Sequence, residues 1–366
     1  MGSGAKKVGI VAVVILVVAA AAAVEFLRRQ GQFRTIHPHF GGTCKTIAME
    51  GSAADVRIDH GTLFAYLSYL DRRAVLNGDS VNGTVMLIDL RSDEPRLRAA
   101  LTVEPPDFRP QGMSLYTPRH GTRKLFVVSR PASGPRRVEI FEQTSSGAFA
   151  PIKTVTHPLM TSPNAILGVG ARQFYVANDS GATTAYEHFK EATLRRPLAN
   201  LLYFDGQAMR AVAAGLHTPT GLAASYDYRT IYASDTLGDR LQVYARNLLT
   251  GGLRRTETIS LDSAPDKITS DENGILWVAA HPKLLALMRA FRDPASRAPT
   301  QVFRVAPDAQ DPGGRPIEIY MNAGEQISAG SVAAVHGDRM LIGSAVEPKL
   351  LDCKLPAATV PTAPPD

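Results

Sequence analysis

Six short segments of this 366-residue chain share one pattern, a small residue or proline, then a polar or small pair, then an aliphatic: SAADV, RPQGM, SPNAI, TPTGL, APDKI and SAGSV. Their third residues are Ala54, Gln111, Asn164, Thr220, Asp266 and Gly330. Gathered at one point, these side chains form an oxygen-bearing ring suited to a cation or a polar ligand. Calcium would ask for about six to eight oxygens at about 2.3–2.6 Å, with enough carboxylates to offset its charge. Only Asp266 among the six is an anion, and Lys267 follows it, so an ammonium competes for the same space and charge. Asp55, beside Ala54, is a second carboxylate, but side chains alternate along a strand and adjacency turns it away from the point Ala54 faces.

Other candidate chemistry is sparse. His281 in AAHPK reads as a hydrogen-bonded structural histidine. His37 and His39 in TIHPHF have metal-ligand spacing but no further ligands nearby, and read as polar residues next to a membrane segment. There is no GxSxG elbow, no phosphate-binding Walker loop and no dinucleotide fingerprint after a strand, so serine-nucleophile and nucleotide chemistry lack support. Asn82 in NGT and Asn178 in NDS match glycosylation acceptors.

The elements that would position the ring follow it at a fixed distance. Each of the six segments precedes a β-rich run, beginning at Leu63, Lys124, Gln173, Thr230, Ile275 and Met340, and a further strand beginning at Thr84, Arg137, Asn200, Leu241, Thr300 and Lys349. Six sheet-forming repeats, 46 to 64 residues apart by their third residues, predict an all-β six-bladed propeller and exclude an α-solenoid. The ring residues then begin the innermost strands at one mouth of the central channel. A propeller must join its first and last segments in one blade, and Cys44 and Cys353, the only cysteines, are placed to cross-link that closure. Two segments break the pattern: 179–199, partly helical, and the run from His281, where Leu284, Leu285, Leu287, Met288 and Phe291 share a helical face. Both are expected to cap the channel, as helices packed on their own blades or as a lid or membrane-contacting surface.

Residues 8–24 carry no charge, follow Lys6-Lys7 and precede Arg28-Arg29. That length predicts an uncleaved signal-anchor, an N-terminal transmembrane helix, with the lysines cytoplasmic and the remainder exported to an oxidising compartment such as periplasm, ER lumen or the extracellular space. The expected organisation is a cytoplasmic tip and anchor over 1–30, a propeller over 31–355, and a disordered Pro/Ala-rich tail over 356–366. The net charge of +6 comes from scattered pairs such as Arg72-Arg73 and Arg254-Arg255, which describe a solvated basic face and not a nucleic-acid groove.

From Cys44 to Leu355 the blocks GSAADVRID, FRPQGMS, LFVVSRP, SPNAILGVG, FYVAND, LWVAAHP, GSVAAV and MLIGSAV, in this order with both cysteines, resemble the paraoxonase/arylesterase family of calcium-dependent, gluconolactonase-like six-bladed propellers. The resemblance implies a catalytic calcium held by a Glu, two Asn and an Asp-Asn pair. Those places fall on Ala54, Asn164, Thr220, Asp266 and Lys267, of which Asn164 and Asp266 are kept. A second, structural calcium falls on Asp55, Ala165 and the carbonyl of Met113. The family's histidine dyad falls on Gln111 and Arg130, and neither an amide nor a guanidinium serves as a general base near neutral pH. The substitution suggests that the Lys267 ammonium replaces the dication, hydrogen-bonded to Asp266 and Asn164. The resulting expectation is a membrane-anchored, paraoxonase-like pseudoenzyme with a degenerate calcium site and no cofactor, which binds a small hydrophobic ligand or a membrane-protein partner. The alternative is an active calcium-dependent arylesterase or lactonase using Asp55, Asn164, Asp266 and Asp179. A third reading is a membrane-anchored assembly factor.

Overall fold

The computed structural model describes residues 2–118, 120–307 and 315–357, so most of the tail expected from 356 lies outside the described residues. Among the described residues the strands form six four-stranded antiparallel sheets. Five are built in chain order from axis to rim, as in Ser52–Asp59, Phe64–Leu70, Thr84–Asp89 and Arg98–Ala99. The sixth takes its outermost strand, Thr43–Ala48, from the N-terminus, paired antiparallel with Lys349–Lys354. The propeller is therefore closed by strand exchange between the two ends of the chain. Cys44 sits opposite Cys353 in that ladder and the two form a disulfide.

Burial follows from the layering. Second strands such as Phe174–Asn178 and Leu276–His281 are buried throughout, because each blade is covered on both faces by its neighbours. Rim strands such as Phe149–Thr156 and Leu253–Ser260 are mostly exposed. The core lies between blades: Phe126 and Ile140 of the second meet Ile166, Phe174 and Val176 of the third, with the Phe126 and Phe174 rings 5.7 Å apart.

Among the described residues four α-helices accompany the sheets: α1 (Gly2–Arg29), α2 (Arg72–Leu76), α3 (Ala185–Leu194) and α4 (Leu284–Arg292). Within α1, Ile10–Arg29 is a 20-residue stretch of mean hydropathy 2.9, none of it buried, long and apolar enough to cross a membrane. Helix α3 opens with a capping box between Thr184 and Glu187, and its buried Glu191 accepts from Ser180 Oγ and Gly181 N of its own blade. Helix α4 reaches further than packing on its own blade: the Phe291 carbonyl accepts from Arg73 of α2, 3.2 Å away, so it spans the junction between the last blades and the first. Of its expected apolar face, Leu284 is buried and Met288 is exposed.

Candidate functional site

At the mouth where the inner strands begin, the ladders break. Register slips occur between Ala53 and Val56, Pro110 and Met113, Pro163 and Ala165, Pro265 and Ile268, and Gly330 and Val332. Such bulges leave residues unpaired and re-aim their side chains. Those freed include Ala54, Asp55, Gln111, Asn164, Asp266 and Lys267, while in the last blade the freed residue is Ser331 and Gly330 stays paired with Ser344. The fourth blade brings Thr220 and Gly221 to the same level just before its inner strand, Leu222–Ala224. Because of the bulge, both Asp266 and Lys267 can address one place despite being adjacent.

The freed side chains form one chain of alternating charge. Lys267 Nζ donates to Asn164 Oδ1 and to the Thr220 carbonyl, both at 2.6 Å, and lies 3.5 Å from Asp266 Oδ1. Asn164 Nδ2 donates to Asp179 Oδ2 at 2.8 Å, and the same oxygen lies 2.6 Å from Arg130. Arg130 also donates to the Pro163 carbonyl at 2.7 Å. At the other end Asp266 Oδ2 meets His281 Nε2 at 3.1 Å. Thr220 serves mainly through its carbonyl, while its hydroxyl contacts that of Thr236 at 2.8 Å. Burial would push the Asp266 carboxyl up, but the Lys267 ammonium, His281 and Thr220 outweigh it and hold it below its ordinary value. Burial likewise pushes Asp179 up, and Arg130 with Asn164 and Ser162 reverses the sign.

Asp55 belongs to a separate pair one layer deeper. Fully buried, it accepts through Oδ2 from Met113 N at 2.7 Å and from Arg57 at 3.1 Å, while its Oδ1 is buried with no hydrogen-bond partner. Arg57 also donates to the Ile268 carbonyl at 2.9 Å. Nothing in the expected site named Arg57. The signal available was its position two residues after Asp55, which in a strand shares a face with it. Among the described residues no hydrogen bond joins Gln111 to Arg130, so these two positions are not a coupled pair.

The donor set of the network is taken up by the chain's own cations. The three carboxylates of this network and the pair beneath it already face cations of the chain itself: Asp266 faces Lys267, Asp179 faces Arg130, and Asp55 faces Arg57. The Asn164 oxygen and Thr220 carbonyl that a cation would use are taken by the ammonium. At the second place Ala165 offers no side-chain oxygen, and the Arg57 guanidinium supplies the charge that balances Asp55. What the arrangement can do is present a closed, internally neutral network with polar edges. The base it offers is His281, whose Nδ1 is buried without a partner.

The end of α1 docks beside this mouth. Leu284 N donates to the Gln30 carbonyl at 3.1 Å, Arg195 donates to the Arg29 carbonyl and at 2.7 Å to Asp239, and Arg34 donates to the Asp262 carbonyl at 3.1 Å. A cleft between them is lined by Arg29, Phe33, Asp239, Asp262, His281 and Leu284. Of the remaining candidates, His39 turns to Glu318, 3.3 Å away. Asn178 is fully buried, its amide donating to Leu159 O and Asn200 Oδ1, so it is no glycosylation acceptor in the folded chain; Asn82 is exposed. The NDS triplet lies at the end of a buried second strand, where the short motif carries no information about exposure.

The profile of the arylesterase family matches residues 73–355. Rat serum paraoxonase/arylesterase 1 is 28% identical over 325 residues, 86% of this chain and 90% of that protein. Human serum paraoxonase/arylesterase 2 is 29% identical over 280 residues, 75% of this chain and 77% of that protein. Among solved structures, a luciferin-regenerating enzyme superposes with a TM-score of 0.51 at 12% identity, covering 86% of this chain and 95% of that one, which speaks to the fold alone.

Proposed function

Since the chain belongs to the arylesterase family, we propose that it is a membrane-anchored propeller of that family whose mouth binds a small hydrophobic ligand or a membrane-protein partner without a catalytic calcium, with ester and lactone hydrolysis weak or lost. The observation that carries this is the pairing of the three carboxylates around the Lys267 network with cations from the chain: Asp266 with Lys267, Asp179 with Arg130, Asp55 with Arg57. A dication entering this network would meet three fixed positive groups, each already paired with one of its carboxylates. Neither Gln111 nor Arg130 takes a proton from water at neutral pH. Helix α1 anchors the chain in the bilayer with the propeller on the exported side. Its docking beside the mouth brings the cleft near the membrane surface, where apolar ligands and membrane partners are concentrated.

The test is direct measurement of calcium bound to the purified full-length chain, together with turnover of phenyl acetate and an acyl lactone with and without added calcium. Absence of calcium with turnover near the uncatalysed rate is expected. Stoichiometric calcium, or calcium-dependent turnover at the level of an ordinary esterase, overturns the reading. The second reading, an active calcium-dependent hydrolase, draws on the retained Asn164 and Asp266 and on the unpartnered Asp55 Oδ1. It requires Lys267 to leave three acceptors, and the same two measurements decide between the readings.

A further inference from the structure

We propose that the opposite mouth of the channel holds a site for a zinc-like transition-metal dication, built from His60, Glu272 and His336. The three residues occupy one register position in three consecutive blades around the ring closure: each lies six residues after its mouth residue, Ala54, Asp266 or Gly330. At that position the other three blades carry Thr117, Gly170 and Tyr226, so the ligand types are confined to the fifth, sixth and first blades. Inner strands run from one mouth to the other, which puts this cluster at the far end of the channel from Lys267.

The distances are those of a coordination shell. His60 Nδ1 and His336 Nδ1 are 3.0 Å apart, His336 Nδ1 is 3.3 Å from Glu272 Oε2, and His60 Nδ1 is 3.7 Å from the same oxygen. Tetrahedral zinc with ligand bonds of about 2.0–2.2 Å spaces its ligand atoms by roughly 3.3–3.5 Å. Each ligand is oriented by a partner outside that shell. His60 Nε2 lies 3.2 Å from the Ser270 carbonyl, which can only accept, so Nε2 carries the proton and Nδ1 of the neutral ring is bare. Glu272 Oε1 accepts from Gly337 N at 2.9 Å, leaving Oε2 to face both imidazoles. Binding moves the one proton held between the two Nδ1 atoms to Nε2 of His336, which frees both Nδ1 lone pairs for the ion. Two imidazoles and one carboxylate suit zinc over calcium, which prefers an all-oxygen shell. The three side chains are 28% to 29% exposed, so an ion can enter and keep a fourth position for water or a partner's ligand. An ion here ties the first blade to the fifth and sixth, reinforcing ring closure.

The full-length chain in detergent, without a histidine tag, is stripped with chelator and titrated with zinc and, separately, with calcium. Saturable uptake of about one zinc per chain is expected, with a rise in Tm that calcium does not give and, on cobalt substitution, the absorption bands of a tetrahedral site. The double variant His60→Gln/His336→Gln should keep its far-UV circular dichroism and bind zinc about 100-fold more weakly or worse, ligand loss being at least as costly as loss of an orienting partner. Glu272→Gln, with one side-chain atom exchanged, gives an independent reading if the double variant misfolds. Absence of saturable zinc binding, or binding unchanged in these variants, overturns the site. The outcome is separate from the fate of the other mouth, which is read by calcium content and turnover.

Discussion

The Lys267 ammonium lies 2.6 Å from Asn164 Oδ1, though 103 residues separate the two in the chain. That single contact joins the third and fifth blades across the channel and uses an oxygen that a metal ion would need. Removing the ammonium leaves Asp266 buried with only His281 and the Thr220 hydroxyl beside it. Lys267→Met should therefore cost about 3–5 kcal/mol, the range for breaking a buried ion pair, read by chemical denaturation. The double change Ala54→Glu with Lys267→Asn restores a carboxylate and removes the competing cation, and should create measurable calcium affinity by titration calorimetry. No gain in calcium binding would show that Ala54 and Lys267 do not stand where the metal ligands of relatives stand.

Arg57→Ala makes a sharper test of the deeper pair. Asp55 is fully buried, and without Arg57 it keeps one hydrogen bond, from the Met113 amide, with the buried Arg72 guanidinium as the cation left nearby. A loss of about 3–5 kcal/mol is expected, whereas Asp55→Asn combined with Arg57→Met should recover much of it, since replacing both partners is far cheaper than orphaning one. An Arg57→Ala variant as stable as the parent would mean that Arg57 does not carry the balancing charge.

Much of this was legible in the sequence because it repeats. Six copies of one element set the blade number, and ring closure by the two ends of the chain implies the Cys44–Cys353 cross-link that the structure shows. Lys267 stands out in the sequence because its charge adjoins the one acidic ring residue. What was hidden has two physical causes. Bulges break the period of two, so strict alternation does not govern Asp266 and Lys267, which both address one place. Contacts between blades, such as Arg130 with Asp179 or Arg57 with the Ile268 carbonyl, depend on how sheets pack and leave no local pattern. The His60, Glu272 and His336 cluster was readable in principle, at a fixed offset from the ring residues, but only by comparing the far ends of the inner strands.

Acid should unfold the protein through its paired aspartates. Asp266 and Asp179 both sit below the ordinary value of 3.8 when folded. As pH falls through 3.8 the unfolded chain takes up protons that the folded chain refuses, so stability present above that value is lost as pH drops toward the folded values. Each such group contributes a slope of up to about 1.4 kcal/mol per pH unit in that window. Asp239, raised by burial, acts the other way, favouring the folded state as pH falls toward 3.8 from above. Denaturation midpoints measured from pH 6 to pH 2.5 should thus fall steeply only at the acidic end, and a flat profile there would remove the charge pairing of Asp266 and Asp179 as a source of stability.

Reducing or deleting the disulfide should weaken the fold without opening it. The bond spans 309 residues, and in the chain-entropy model closing a loop of that length contributes about 5 kcal/mol. The ladder between Thr43–Ala48 and Lys349–Lys354 runs over six residue pairs and remains when the sulfurs are gone. Cys44→Ser/Cys353→Ser should lower Tm by a clear margin yet keep the circular dichroism of the parent, and loss of the β spectrum at room temperature would show that the strands alone cannot hold the ring.

The mouth also depends on two glycines that let inner strands approach. A Cβ on Gly112 would lie 2.3 Å from the Asn164 carbonyl oxygen, and one on Gly221 would lie 2.3 Å from that of Asp266 and 2.8 Å from Ile268 N. The obstructing atoms are backbone, so nothing flexible can yield. The strands carrying Asn164 and Asp266 would have to move away from their neighbours, and the network held by Lys267 would stretch with them. Gly221→Ala should cost about 1–3 kcal/mol, the usual range for overpacking. Because Lys267 reaches the Thr220 carbonyl next to that glycine, the variant should also lose part of what Lys267→Met costs. In a double-mutant cycle the two changes are expected to be less than additive. Strict additivity would mean that the close approach at Gly221 serves blade packing only and does not set the position of the ammonium.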